Sequence, residues 1–225
     1  MAFASGFSFR NCKPIGLLES MATTRSIRRF HPAPSPDRLL RSVLKAATWA
    51  PSGSNMQNCG LLIVRDPEKR RQIGEFYRAA FDEFYPRERL VSENDPSRKR
   101  MMSGGMYLAD HMGTEPPVLV LFCRDPAASY NSQAGIQDWV RGSSVYPAVQ
   151  NLLLAARASG LGGCLTTLHL RHHAEIKALL GIPDSVDVYA LIPLGYPRDK
   201  FGPLRRRPVE EVSYLDAWGT NLPGA

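Results

Sequence analysis

The chain has 225 residues, 44% of them hydrophobic and 22% charged, with a formal net charge of +7, a composition that excludes wholesale disorder and allows one sizeable core. Cys12, Cys59, Cys123 and Cys164 form no C-x-x-C pair, which excludes a zinc ribbon or a dithiol motif and fits a reducing, cytoplasmic setting. The opening MAFASGFSFRNCKPIGLL places Arg10 and Lys13 after its short apolar part, the reverse of a signal peptide, and no stretch reaches the roughly 18 apolar residues of a membrane span.

Residues 1–14 read as an N-terminal extension and 15–225 as a single domain. Ile15, Leu18 and Met21 predict a first helix over 15–25. After the turn HPAPSP, Ser35 is the expected N-cap and Pro36 the first helical position of a helix with the stripe Leu39, Leu40, Val43, Leu44 and Ala47. The small-residue loop APSGSN then leads into a short strand from Leu61 to Val64.

With Pro67 at its first position, an amphipathic helix runs through Ile73, Phe76, Tyr77, Ala80, Phe81 and Phe84, and the polar stretch ending near Ser97 reads as irregular. Its aromatic stripe reads as core, and the 76–110 excursion also suits a lid over a pocket. Val118 to Phe122 is a compact strand; residues 143–158 form a helix with Val149, Leu152, Leu153 and Ala156 on one face, stopped by Gly160. GLGGCLTTLHL is a glycine-rich turn into a strand, a short helix follows around Glu175 to Leu180, VDVYALIPLGYP is a last long strand, and the tail FGPLRRRPVEEVSYLDAW reads as polar and extended. Helices outnumber strands without strict alternation, which predicts an α+β layer architecture rather than a doubly wound sheet.

The chain contains no G-x-x-x-x-G-K-[ST] loop, no G-x-G-x-x-G after a strand and no G-x-S-x-G elbow, which disfavours P-loop, Rossmann and hydrolase chemistry. His169, His172 and His173 have no carboxylate or cysteine at a ligand spacing, so the segment reads as a strand end and helix start rather than a metal site. Basic residues bunch at Arg25, Arg28 and Arg29, at Arg98 to Arg100 and at Arg205, Arg206 and Arg207. Such bunching suits a phosphate or carboxylate ligand. A nucleic-acid partner ranks far behind, because no helix-turn-helix, RNP-like or zinc-finger pattern accompanies the arginines.

The ordered blocks TTRSIRRF, AATWAPSGSNMQN before LLIVRDPEKRRQI, SGLGGCLTTLHL, and ALIPLGYPRDKFGPLRRRPVEEV resemble the FMN-dependent nitroreductase family across residues 20–218. The resemblance implies a mixed, mostly antiparallel sheet flanked by helices, in an intertwined homodimer with flavin sites at the interface. It implies an FMN-dependent oxidoreductase that moves reducing equivalents from NADPH or NADH to a nitroaromatic, quinone or similar electron-poor small molecule by a ping-pong mechanism. No metal and no membrane partner is implied, and the flavin N5, not a side-chain acid or nucleophile, carries the chemistry.

Residue by residue, the resemblance gives Arg25, Ser26, Arg28 and Arg29 to the flavin phosphate and ribityl oxygens. Pro51, Ser52, Gly53, Ser54, Asn55 and Gln57 correspond to a loop that the neighbouring subunit lays beside the isoalloxazine ring. Leu165, Thr166 and Thr167 match the segment facing the N5 and O4 edge, and Arg206, flanked by Arg205 and Arg207, matches the C-terminal residue at the phosphate. Two departures stand out: Thr24 where a second arginine is frequent, and Gln57-Asn58-Cys59 where the family usually reads Q-P-W. Helix 143–158 is the candidate dimer core, and Trp139 and Tyr146 are expected to line the pocket with the 76–110 excursion. The same fold also accommodates reductive dehalogenation or oxidative breakdown of the flavin, since sites and not folds carry function.

Overall fold

A computed structural model describes residues 15–125 and 141–221, the side chains of 89–91 and 141 excepted. The N-terminal extension and Trp139 therefore lie outside the described residues. In chain order the elements are α1 (Leu17–Thr23), β1 (Phe30–His31), α2 (Asp37–Ala47), β2 (Cys59–Val64), α3 (Pro67–Phe84) and α4 (Arg87–Ser92). They continue with α5 (Pro96–His111), β3 (Val118–Arg124), α6 (Tyr146–Ala158), β4 (Gly162–Gly163), α7 (His173–Leu180) and β5 (Asp187–Pro197). No helix among the described residues is long and apolar enough to cross a membrane.

The central strand dictates the layers. β3 is apolar at every position up to Cys123, so both of its faces must be covered, and successive side chains divide between them. Val118, Val120 and Phe122 join Ala190 and Ile192 of β5 against Val43 of α2 and Val149 and Leu152 of α6. Leu119, Leu121 and Cys123 face the other way, against Ile73, Tyr77 and Phe81 of α3, Leu108 of α5 and Ile176 of α7. The result is the expected α+β architecture, a sheet of order β1-β5-β3-β2 with β4 also on β5. Each described pairing is antiparallel, and a bulge between Phe122 and Cys123 shifts the register from Ala190 to Val188.

Local chemistry accounts for most of the helix boundaries. Asp66 accepts from Lys69 N at 2.8 Å as the N-cap of α3, with Pro67 in the first turn. Gly160, at φ +76°, follows α6 where the sequence predicts a stop. Two expectations are corrected. Ser35 does not cap α2: it is buried one residue too early, Pro36 occupies the N-cap, and its carbonyl accepts from Leu40 N at 3.0 Å. The stretch before Ser97 is not irregular but contains α4, tied down where Arg87 bridges Asp82 and Asp110 at 2.8 and 2.7 Å. These ion pairs, one of them to a residue 23 positions away, are invisible to periodicity and stabilise a helix whose six residues are too few to be stable alone.

Candidate functional site

The outer edge of β5 gathers three of the sequence blocks. Along it, Thr166 bridges Leu191, Gly163 and Gly162 pair with Leu194 and Gly195, and His31 and Phe30 pair with Tyr196 and Pro197. The fourth block's C-terminal part is the continuation of β5 itself, and it returns alongside the first: Arg198 N donates to Arg29 O and Leu204 N to Ala22 O, both at 3.0 Å. Ile27 fixes the first block from the inside. It is fully buried, its N–H donates to Gly163 O at 3.0 Å, and a Cβ on Gly162 would lie 2.6 Å from its Cγ1. Only glycine permits that approach.

Charges around this edge are distributed unevenly. Most arginines of α3 to α5 have carboxylate partners, such as Arg71 with Glu68 and Glu75 or Arg87 with Asp82 and Asp110. By contrast, among the described residues no carboxylate pairs with Arg25, Arg28, Arg205, Arg206 or Arg207. Arg28 is half-buried, its stem against Gly104 of α5, while Arg25 reaches toward Gly202. The two guanidiniums thus diverge, one toward Gly202 and the other toward α5. Ser26 between them is exposed. Arg29 is different: it pairs with Asp199 at 3.5 Å and lies over the Tyr107 ring at 4.7 Å. Of the predicted phosphate arginines it is the one already engaged within the fold.

In the third block, buried Cys164 and Thr166 alternate with exposed Leu165 and Thr167. Thr166 is used up internally. Its N–H donates to Leu191 O at 3.1 Å, its carbonyl accepts from Leu191 N at 3.0 Å, and its hydroxyl donates to Tyr77 at 3.0 Å. The residues that turn outward here are its neighbours, and Thr166 itself is an anchor. Burial pushes the Tyr77 phenol up to about 12, so it stays neutral and able to hydrogen-bond.

The second block sits elsewhere. Pro51–Gln57 precedes β2, at the opposite edge of the sheet, and Cys59 pairs with Arg124, at the opposite end from Val118. With strands about 4.8 Å apart and rising about 3.3 Å per residue, the loop lies ~20 Å from the end of the outer edge of β5 that carries Gly162 and Phe30. The loop is held tightly all the same. Ser54, Asn55 and Gln57 all have φ between 51° and 53°, a left-handed region that costs a non-glycine residue about 1 kcal/mol or more. Ser52 Oγ accepts from Gln57 N at 2.9 Å, Asn55 N reaches Ser52 O at 2.9 Å, and Gly53 N donates to Ser144 Oγ at 3.1 Å. The exposed side chains of Ser54, Asn55 and Gln57 point away from their own core.

Tyr77, Ser144 and the Gly104–Gly105 pair go unassigned by sequence reasoning. The glycine pair carried a readable signal: glycine inside a helix costs about 1 kcal/mol relative to alanine, which marks a close approach, here of Phe81 to Gly105, while Arg28 lies at ordinary contact distance from Gly104. The histidines of HLRHH separate. His172 stacks on Phe76, His173 Nε2 accepts from Val188 N at 3.4 Å, and His169 is buried with neither ring nitrogen bonded. Among the described residues no cluster of three metal-ligating side chains occurs.

Guanidiniums without carboxylate partners at one end, exposed Leu165 and Thr167 on the same edge and close-packed glycines together fit a phosphorylated ligand with a flat ring system. This arrangement, on an antiparallel sheet enclosed by helices, is that of a flavin-dependent oxidoreductase fold. The chain belongs to the nitroreductase family, whose sequence model matches residues 21–196. It is 32% identical over 192 residues to an NADH dehydrogenase of Thermus thermophilus, covering 84% of this chain and 90% of that one. It is 30% identical to an iodotyrosine deiodinase of Thermotoga neapolitana, covering 84% and 90%. Among solved structures, iodotyrosine deiodinase bound to FMN and 3-iodo-L-tyrosine superimposes with a TM-score of 0.67 at 25% identity, over 91% of this chain and all of that chain.

Proposed function

We propose that this protein is an FMN-dependent oxidoreductase that binds its flavin at the outer edge of β5, between two copies of the chain. The observation that carries the reading is the set of carboxylate-free arginines that the first and fourth blocks bring to one edge. Arg25 with Arg205, Arg206 and Arg207 would hold the phosphate, with Ser26 beside it, and Arg28 would lie near the pyrimidine side of the ring. Leu165 and Thr167 would offer their backbone to the ring edge, while Thr166, locked by Tyr77 and Leu191, fixes their position.

FMN, when bound, supplies a two-electron carrier, and NADPH or NADH is its donor. Pro51–Gln57 is too far from the arginines of its own chain to share a small ligand with them, so the loop that covers the ring is the partner's. A monomer then holds half a site. α6 is largely buried on its own sheet, which leaves its remaining face, with half-exposed Tyr146, for the partner. Donor and acceptor would occupy the same pocket in turn, in ping-pong fashion, and the acceptors this reading favours are nitroaromatics and quinones.

An absorbance spectrum of the purified protein, followed by anaerobic titration with NADPH and NADH, tests the proposal. Flavin bands that bleach with either nucleotide and return on adding a quinone or nitroaromatic are expected. A protein that neither carries nor takes up FMN overturns it. A second reading, reductive dehalogenation, draws support from the deiodinase relatives. Iodide release from 3-iodotyrosine under reducing conditions distinguishes it from nitro reduction.

A further inference from the structure

The backbone of the arginine segment is fixed by the fold itself, and one carboxylate does this from outside the site. Phe30 ends the segment, and in the edge strand β1 its N–H points away from β5, where no strand can accept it. Glu115, in the turn between α5 and β3, supplies the acceptor: its Oε2 takes Phe30 N–H at 3.0 Å. Its other oxygen takes the Tyr107 hydroxyl and Arg198 Nη1, the latter at 3.0 Å. The Glu115 side chain is 14% exposed.

The knot continues on both sides. Arg198 Nη1 also donates to the Tyr107 hydroxyl at 3.2 Å, and Arg198 N donates to Arg29 O at 3.0 Å. Tyr107 carries Arg29 on its ring and stacks on His111 at 4.0 Å between centroids. Glu115 thereby consumes Arg198, and Tyr107 and Asp199 consume Arg29, which leaves Arg25 and Arg28 as the guanidiniums of the segment open to a ligand. Burial alone would raise the Glu115 pKa, yet the bonds from Tyr107 and Phe30 bring it below the usual carboxylate range, so the anion persists at neutral pH.

We propose that Glu115 is the positioning residue of the flavin-phosphate segment: through Phe30 N–H and the Tyr107–Arg198 pair it fixes the backbone that presents Arg25 and Arg28. The inference rests on the flavin reading above. It concerns a residue that touches no ligand and acts through the strand it holds. Because a hydrogen bond to a partly buried charge is lost on truncation, leaving Phe30 N–H and Arg198 without their acceptor, the segment loses its fixed register and must be ordered at the expense of binding.

The test measures FMN affinity of the full chain at neutral pH by quenching of FMN fluorescence, alongside thermal unfolding. Glu115→Ala should weaken FMN binding about tenfold, the size of one charge-assisted bond, while turnover at saturating FMN falls far less. Glu115→Gln, which keeps an acceptor for Phe30 N–H, should recover most of the affinity. A purely structural role would lower the unfolding temperature of both variants and leave the affinity of the folded protein unchanged, and that result overturns the proposal. Should Glu115→Ala fail to fold, Tyr107→Phe removes one leg of the knot. A rise of about threefold in the FMN dissociation constant is then expected, and an unchanged constant overturns the proposal. A wild-type protein that binds no FMN would instead remove the flavin reading itself.

Discussion

The Thr166 hydroxyl donates to the Tyr77 hydroxyl at 3.0 Å, a buried bond between residues 89 apart in the chain. It joins α3 to the outer edge of β5, and with the backbone bridge to Leu191 it leaves Thr166 no freedom. Tyr77→Phe keeps the ring and deletes the bond. The expected loss is about 1 kcal/mol, a fall of roughly 2–4 °C in unfolding temperature for a domain of this size. The wild-type protein should also lose stability as pH rises from 10 toward 12, since the phenol ionises at about 12 when folded and at 10.0 when not. Tyr77→Phe should flatten that alkaline slope, as followed by circular dichroism.

Arg25→Ala and Arg28→Ala should each weaken FMN binding by roughly ten- to a hundredfold, the range for hydrogen bonds to a charged group. Arg29→Ala should cost far less, because Arg29 is engaged by Asp199 and Tyr107. Equal losses in all of these variants, measured by FMN titration, would contradict the division of roles.

Gly162→Ala sets a methyl group 2.6 Å from Ile27 Cγ1. Overpacking of this kind costs about 1–3 kcal/mol, and because Ile27 lies between Arg25 and Arg28, FMN affinity should fall with stability. Pairing it with Ile27→Ala should return much of both, a coupling that a double-mutant cycle measures.

If each flavin site takes its arginines from one chain and its Pro51–Gln57 loop from the other, defects in the two should complement. Dimers of subunits carrying Arg28→Ala should bind FMN weakly, as should dimers of subunits with Asn55→Ala and Gln57→Ala. Mixed dimers would restore about one intact site in two. Failure of flavin binding to reappear on mixing and reassociation would place loop and arginines in the same subunit.

His169 is buried with neither ring nitrogen bonded, and burial pulls its pKa down to about 4 from 6.5. The unfolded chain therefore binds a proton that the folded one refuses. Stability from this residue is complete above pH 6.5 and lost as pH falls toward 4. His169→Phe should make acid unfolding less steep over that window, in a denaturant series at stepped pH.

The sequence by itself determined the helices with strong periodicity or caps, α2, α3 and α6, and the apolar strands β3 and β5, because burial writes a repeat into the chain and Pro67 and Gly160 mark its ends. It also determined family membership, through four short blocks in order. It did not reveal α4, held by ion pairs from Asp82 and Asp110, nor that Pro36 rather than Ser35 would be the N-cap of α2, since neither depends on local pattern. Only the tertiary structure decided which arginines are left without carboxylates, that Thr166 is turned inward to Tyr77, and that Pro51–Gln57 lies across the sheet from the arginines. Those facts depend on strand order and on which side of each strand faces a neighbour, and pairing between distant segments is a property of the folded chain that no single stretch of sequence records.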